Sequence, residues 1–131
     1  MGIAEAGVAR DILEWSRAHF SRLAWGKGAI EGTVAPTLDH GGSSHWVFYH
    51  LTNGTIEIPF WGIRDKPPFD QQGKRLELLS KLNEIPGIDL PETAIEKRPR
   101  IPLATFSTQD ALAKLFDVLE WFLEEARSPR P

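Results

Sequence analysis

The chain has 131 residues, 41% apolar and 25% charged, which are ordinary globular values and enough length to bury a core without metals or disulfides. It has no cysteine, which excludes disulfides, thiolate nucleophiles and cysteine-ligated zinc, and agrees with a reducing cytosol. A net charge of −3 argues against a broad nucleic-acid-binding surface but leaves room for a local one. The charge is uneven: residues 61–105 carry eight Lys/Arg against seven acids, and both flanks are net negative.

The start, "MGIAEAGVARDILEW", lacks the basic and apolar blocks of a secretory signal, and no apolar run approaches the roughly 20 residues of a membrane span. The expectation is one α+β domain over residues 1–131, cytoplasmic and of bacterial type, with no membrane partner. Residues 4–25 read as an amphipathic helix with Val8, Ile12, Trp15 and Leu23 on one stripe and Arg10, Glu14 and Arg17 opposite. "AIEGTVAP" (29–36) alternates like a strand, and "LDHGGSS" reads as a loop.

"HWVFYHLTNGTIEIPFWG" (45–62) reads as a hairpin about Asn53-Gly54, since a two-residue type I′ turn suits that pair. This register opposes Leu51 to Ile56, His50 to Glu57, Tyr49 to Ile58 and Trp46 to Trp61. Opposed residues share a face. One face is then Val47, Tyr49, Leu51, Ile56, Ile58 and Phe60. The other is polar near the turn and carries Trp46, Phe48 and Trp61 at its far end. Pro59 withdraws a backbone donor and marks a sheet edge.

Asp70 is placed to cap a helix reaching about Ile85, with Leu76, Leu79 and Leu82 inward and Leu78 beside them. Residues 86–100 are rich in proline and charge, with room for one helical turn after Pro91. "RIPLATF" suits a short edge strand, and Ser107 with Asp110 opens a last helix striped by Leu112, Leu115, Phe116, Leu119, Phe122 and Leu123. The order is α-β-β-β-α-β-α, with a three- or four-stranded, mainly antiparallel sheet.

Three groups of residues could carry function. Glu31, His50 and Glu57 share a face if strand 29–36 pairs suitably, and two carboxylates with an imidazole suit metal binding or acid–base work. The alternative is a cross-strand surface pair. Trp46, Phe48 and Trp61 could stack bases, or be covered by a helix. Lys97, Arg98 and Arg100, on a proline-bounded loop, could contact phosphates or simply be solvated. The four histidines do not fall at metal-ligand spacing, and no dedicated metal or cofactor site is expected.

The element order resembles the core of the PD-(D/E)XK nuclease superfamily, the restriction-endonuclease-like fold, over about residues 8–106. The resemblance implies one or two divalent metals (Mg²⁺ or Mn²⁺), with Glu57 as the strand glutamate, Asp39 as the aspartate and Glu14 as an optional helix acid. The chain departs from the pattern at Pro59, which stands where a lysine is expected; Lys74 on the next helix would have to substitute. The expected function is therefore a non-catalytic binding or accessory module, with nucleic acid in a restriction- or repair-type system as partner. Two alternatives stand beside it: a metal-dependent phosphodiesterase using Glu31, His50, Glu57 and Lys74, and a protein-interaction or homodimerisation module.

Overall fold

A computed structural model describes residues 3–25, 34–40, 42–46, 48–51, 54–64 and 66–127. The first helix, α1 (Ile3–His19), buries Val8, Ala9 and Ile12 at helical spacing and half-buries Trp15. It stops short of the expected residue 25. Phe20 N donates to Ser16 O (2.8 Å), and Arg22–Trp25 then forms a strand, β1. Leu23 had fitted the helical stripe by spacing, but its segment pairs antiparallel with β2 (Val34–His40), from Arg22↔Thr37 to Trp25↔Val34.

The expected strand 29–36 is met only from Val34 onward, because residues 29–33 lie outside the described part. β2 continues through the "LDH" expected as loop and pairs with β3 (Ser43–His45), Leu38 opposing His45 and His40 opposing Ser43. Only two residues separate these strands. Gly42, at φ 80°, supplies the left-handed backbone such a tight connection requires.

The central hairpin forms, but in another register. In β4 (Tyr49–Leu51) and β5 (Thr55–Glu57), Leu51 opposes Thr55, His50 opposes Ile56 and Tyr49 opposes Glu57. Three residues, 52–54, therefore connect the strands instead of two, and Gly54 carries a φ of 91°. A one-residue slip exchanges the faces of one strand relative to the other. Phe48, expected on the outer face with the two tryptophans, is 1% exposed and packs with Ile56 and Ile58, edge-on to Phe20 at 6.4 Å. Of the expected inward set, Tyr49 and Leu51 take ladder positions opposite Glu57 and Thr55, and Val47 lies outside the described residues.

The second strand also ends early. It was expected to run to Trp61, but it stops at Glu57, and residues Phe60–Ile63 form a short helix, α2. Pro59 explains the stop: it has no N–H for a ladder, while its carbonyl accepts from Gly62 N (2.8 Å) and Ile63 N (3.1 Å). Strand β6 (Arg100–Pro102) pairs with β5 as expected of an edge strand. Bonds from Ile58 N to Pro99 O (2.9 Å) and Leu103 N to Gly54 O (2.8 Å) extend that alignment at both ends. The strand order is β1-β2-β4-β5-β6, antiparallel throughout, with β3 on β2.

Helix α1 and the helix Gln109–Arg127 pack against the sheet, and the helix Gln72–Asn83 packs on Gln109–Arg127. Helix α3 (Gln72–Asn83) buries Leu78, Leu79 and Leu82 and leaves Leu76 half-buried; Gln71, not Asp70, occupies its N-cap. The buried Arg75 guanidinium donates to the carbonyls of Phe69 (2.8 Å) and Asp70 (3.1 Å), tying the preceding loop to the helix. Asn83 brackets Leu90, donating to its carbonyl (2.9 Å) and accepting from its N–H (2.8 Å), which fixes the turn after α3. A 3₁₀ turn, Glu92–Glu96, follows Pro91 and buries Ala94 and Ile95.

Helix α4 (Gln109–Arg127) buries Leu115, Leu119, Phe122 and Leu123 and half-buries Leu112 and Phe116. Thr108, rather than Ser107, caps it: its Oγ1 accepts from Ala111 N at 3.1 Å. No helix among the described residues is long and apolar enough to cross a membrane.

With Phe48 fully enclosed, Phe48→Ala should cost about 3–5 kcal/mol of stability in a urea titration. A midpoint unchanged from wild type would contradict the observed register.

Candidate functional site

The nuclease-type residues do not converge. Glu31 lies outside the described residues. The register opposes His50 to Ile56, so positions 50 and 57 alternate onto opposite faces of the ladder, contrary to the expected pairing. Asp39 lies five residues beyond Val34, itself opposite His50, which is about 17 Å of strand at 3.4 Å per residue. Oxygen ligands bind Mg²⁺ or Mn²⁺ at about 2–2.5 Å, so Asp39 and Glu57 cannot share an ion.

Each acid is also engaged elsewhere. Asp39 accepts from Arg22 Nε (2.8 Å), Arg22 Nη2 (3.3 Å) and Ser44 Oγ (2.9 Å), a bidentate pair across β1 and β2. Among the described residues no group of three or more His, Asp or Glu side chains is placed to hold a metal. These residues do not fit the metal centre that the nuclease resemblance implies. Glu14 is exposed on α1. Lys74, the substitute lysine, is bonded to Glu125 of α4 and to Glu77 (3.4 Å), and its Nζ lies 5.8 Å from the Trp121 ring centre. The Glu125 bond raises the Lys74 ammonium above its ordinary value against the desolvation that opposes it. Its partners are thus on the helical layer.

The basic residues behave differently. Pro59 turns the chain out of β5 into α2, which packs on the 3₁₀ turn and brings Arg64 to it. Arg64 Nη1 pairs with Glu96 Oε2 (3.5 Å), directly before Lys97 and Arg98. The Ile58–Pro99 bond anchors the other side of that loop. Lys97, Arg98 and Arg100 are exposed, and Arg64 and Lys66 are partly so. Arg64 thereby joins the surface that carries Lys97, Arg98 and Arg100.

Glu57 belongs to this face. It opposes Arg100 across the β5–β6 ladder, and Arg100 Nε donates to Glu57 Oε1 at 3.3 Å. Glu57 is buried while Arg100 is exposed, so the contact orients an exposed guanidinium from a carboxylate set into the sheet. Trp46 is half-buried, and the Lys66 ammonium sits 5.6 Å over its ring, occupying a face that a base would need. Phe48, expected as a binding residue, is a core residue. The Trp61 side chain lies outside the described part of the chain.

Arg64 lies next to the segment of Lys97, Arg98 and Arg100, a placement that the sequence pattern alone did not suggest. The available signal was the proline at 59, which ends the strand and redirects the following basic residues. Comparison with protein-family models, curated proteins and solved structures finds no match.

Arg22 and, to a smaller degree, Ser44 hold the Asp39 carboxyl below its ordinary value through their hydrogen bonds. A depressed folded value adds stability that is present above about pH 4 and is lost as pH falls through the depressed value. Asp39→Asn should therefore lower the Tm at neutral pH, with the gap to wild type closing in acid. A gap constant across pH would contradict this ion pair.

Proposed function

We propose that the chain is a non-catalytic binding module that grips the phosphates of nucleic acid through Arg64, Lys66, Lys97, Arg98 and Arg100. The observation that supports this reading best is the Arg64–Glu96 pair, which brings Arg64 to the exposed segment that carries Lys97, Arg98 and Arg100. A cluster of cations on one face attracts a polyanion even when the net charge of the chain is negative, because the interaction is screened within about 10 Å at 0.1 M salt.

Binding is favoured over catalysis by the hairpin register, which separates positions 50 and 57, and by the Arg100 contact to Glu57. The nuclease-like order of elements supports a setting beside restriction or repair enzymes, and the absence of cysteine agrees with a reducing compartment. No observation on the helical face favours self-association to the same degree.

A fluorescein-labelled oligonucleotide should bind with an affinity that falls steeply with salt. Replacing Lys97 and Arg98 together by Ala should weaken it and reduce the slope of log K against log[salt] by about 1–2. A response flat in salt, or a double variant that binds as wild type does, would contradict the proposal.

A further inference from the structure

The pair that opened as a candidate catalytic acid and a loop cation has an unequal build. The Glu57 side chain is 11% exposed, whereas that of Arg100 is 58% exposed. They sit directly opposite on adjacent strands, and the only contact between them uses Nε of the guanidinium. Among the described residues, the two Nη groups have no hydrogen-bond partner.

A guanidinium held at Nε by a fixed carboxylate keeps its far end, one N–H from each Nη, aimed away from that anchor. Those groups form a planar fork whose geometry matches two oxygens of a phosphate. An ammonium in the same place would supply the charge without the fork.

We infer that Arg100 is the bidentate phosphate contact of the basic face, and that Glu57 is its positioning residue. The inference rests on the nucleic-acid reading above and deepens it: the ligand group is a backbone phosphodiester. Arg64, Lys66, Lys97 and Arg98 supply attraction, while Arg100 supplies geometry. Glu57 thereby has a role at the site without metal ligation or proton transfer.

The two contributions separate in one experiment on the full chain with a fluorescein-labelled oligonucleotide. Arg100→Lys keeps the charge, so the salt slope should stay as in wild type while affinity at each salt concentration falls about tenfold. Arg10→Lys, at an exposed α1 position that is not one of the basic residues assigned to phosphate, should change neither. Glu57→Gln, with its folding checked by circular dichroism, should weaken binding about three- to tenfold even though it removes a negative charge from the face. A purely electrostatic role for Glu57 predicts the opposite sign.

If wild type binds and Arg100→Lys binds equally well, the inference fails and the nucleic-acid reading survives. If wild type does not bind the oligonucleotide at all, both fail. Should inorganic phosphate at an equal concentration of phosphate groups displace the oligonucleotide, the site is one for the free anion and the phosphodiester assignment is overturned. Should Glu57→Gln fail to fold, Arg100→Lys alone decides the question, because an exposed side chain can be exchanged without disturbing the core.

Discussion

The pairing of β4 with β5 is the constraint on which the remainder of the structure turns. His50 opposes Ile56, and the chain needs three residues between the strands to achieve it. The alternative, a two-residue turn at Asn53-Gly54, would be locally favourable. It would also turn Phe48 outward while Ile56 and Ile58 faced in. Burial of a phenylalanine side chain is worth roughly 2–3 kcal/mol, more than the preference among hairpin turns supplies. Gly54, at φ 91°, gives the longer connection the left-handed residue it requires.

The functional consequences follow from that register. It sends position 50 away from Glu57, and the β5–β6 ladder sets Arg100 opposite Glu57 instead. Prolines then shape the face. Pro59 ends β5 and starts α2, and Pro99, at the entrance to β6, accepts the bond from Ile58. Arg64 is brought to Glu96 by this chain reversal. The acid that most resembles a nuclease glutamate in the sequence is, in the fold, the partner of an exposed arginine.

Much of the architecture was legible from the residues, and the failures have specific physical causes. The stripes on α3 and α4 set the helical layer because Leu78, Leu79, Leu82, Leu115, Leu119, Phe122 and Leu123 recur with the helical period. The edge strand at Arg100–Pro102 and the turn after Pro91 were readable from proline chemistry. The end of α1 was not, since Leu23 fits a helical stripe and only pairing with β2 reveals the strand. "LDHGGSS" read as loop because its two glycines masked a tight hairpin with short arms. Of the candidate site, the basic run at 97–100 is plain in the sequence, whereas the placement of Arg64 and the partnership of Glu57 with Arg100 depend on contacts across more than thirty residues.

The most direct test of this account is the hairpin register in solution, read from cross-strand backbone proton contacts by NMR. The account predicts contacts linking Tyr49 with Glu57, His50 with Ile56 and Leu51 with Thr55. Contacts linking His50 with Glu57 and Leu51 with Ile56 would contradict it, returning the imidazole and the carboxylate to one face and removing Phe48 from the core.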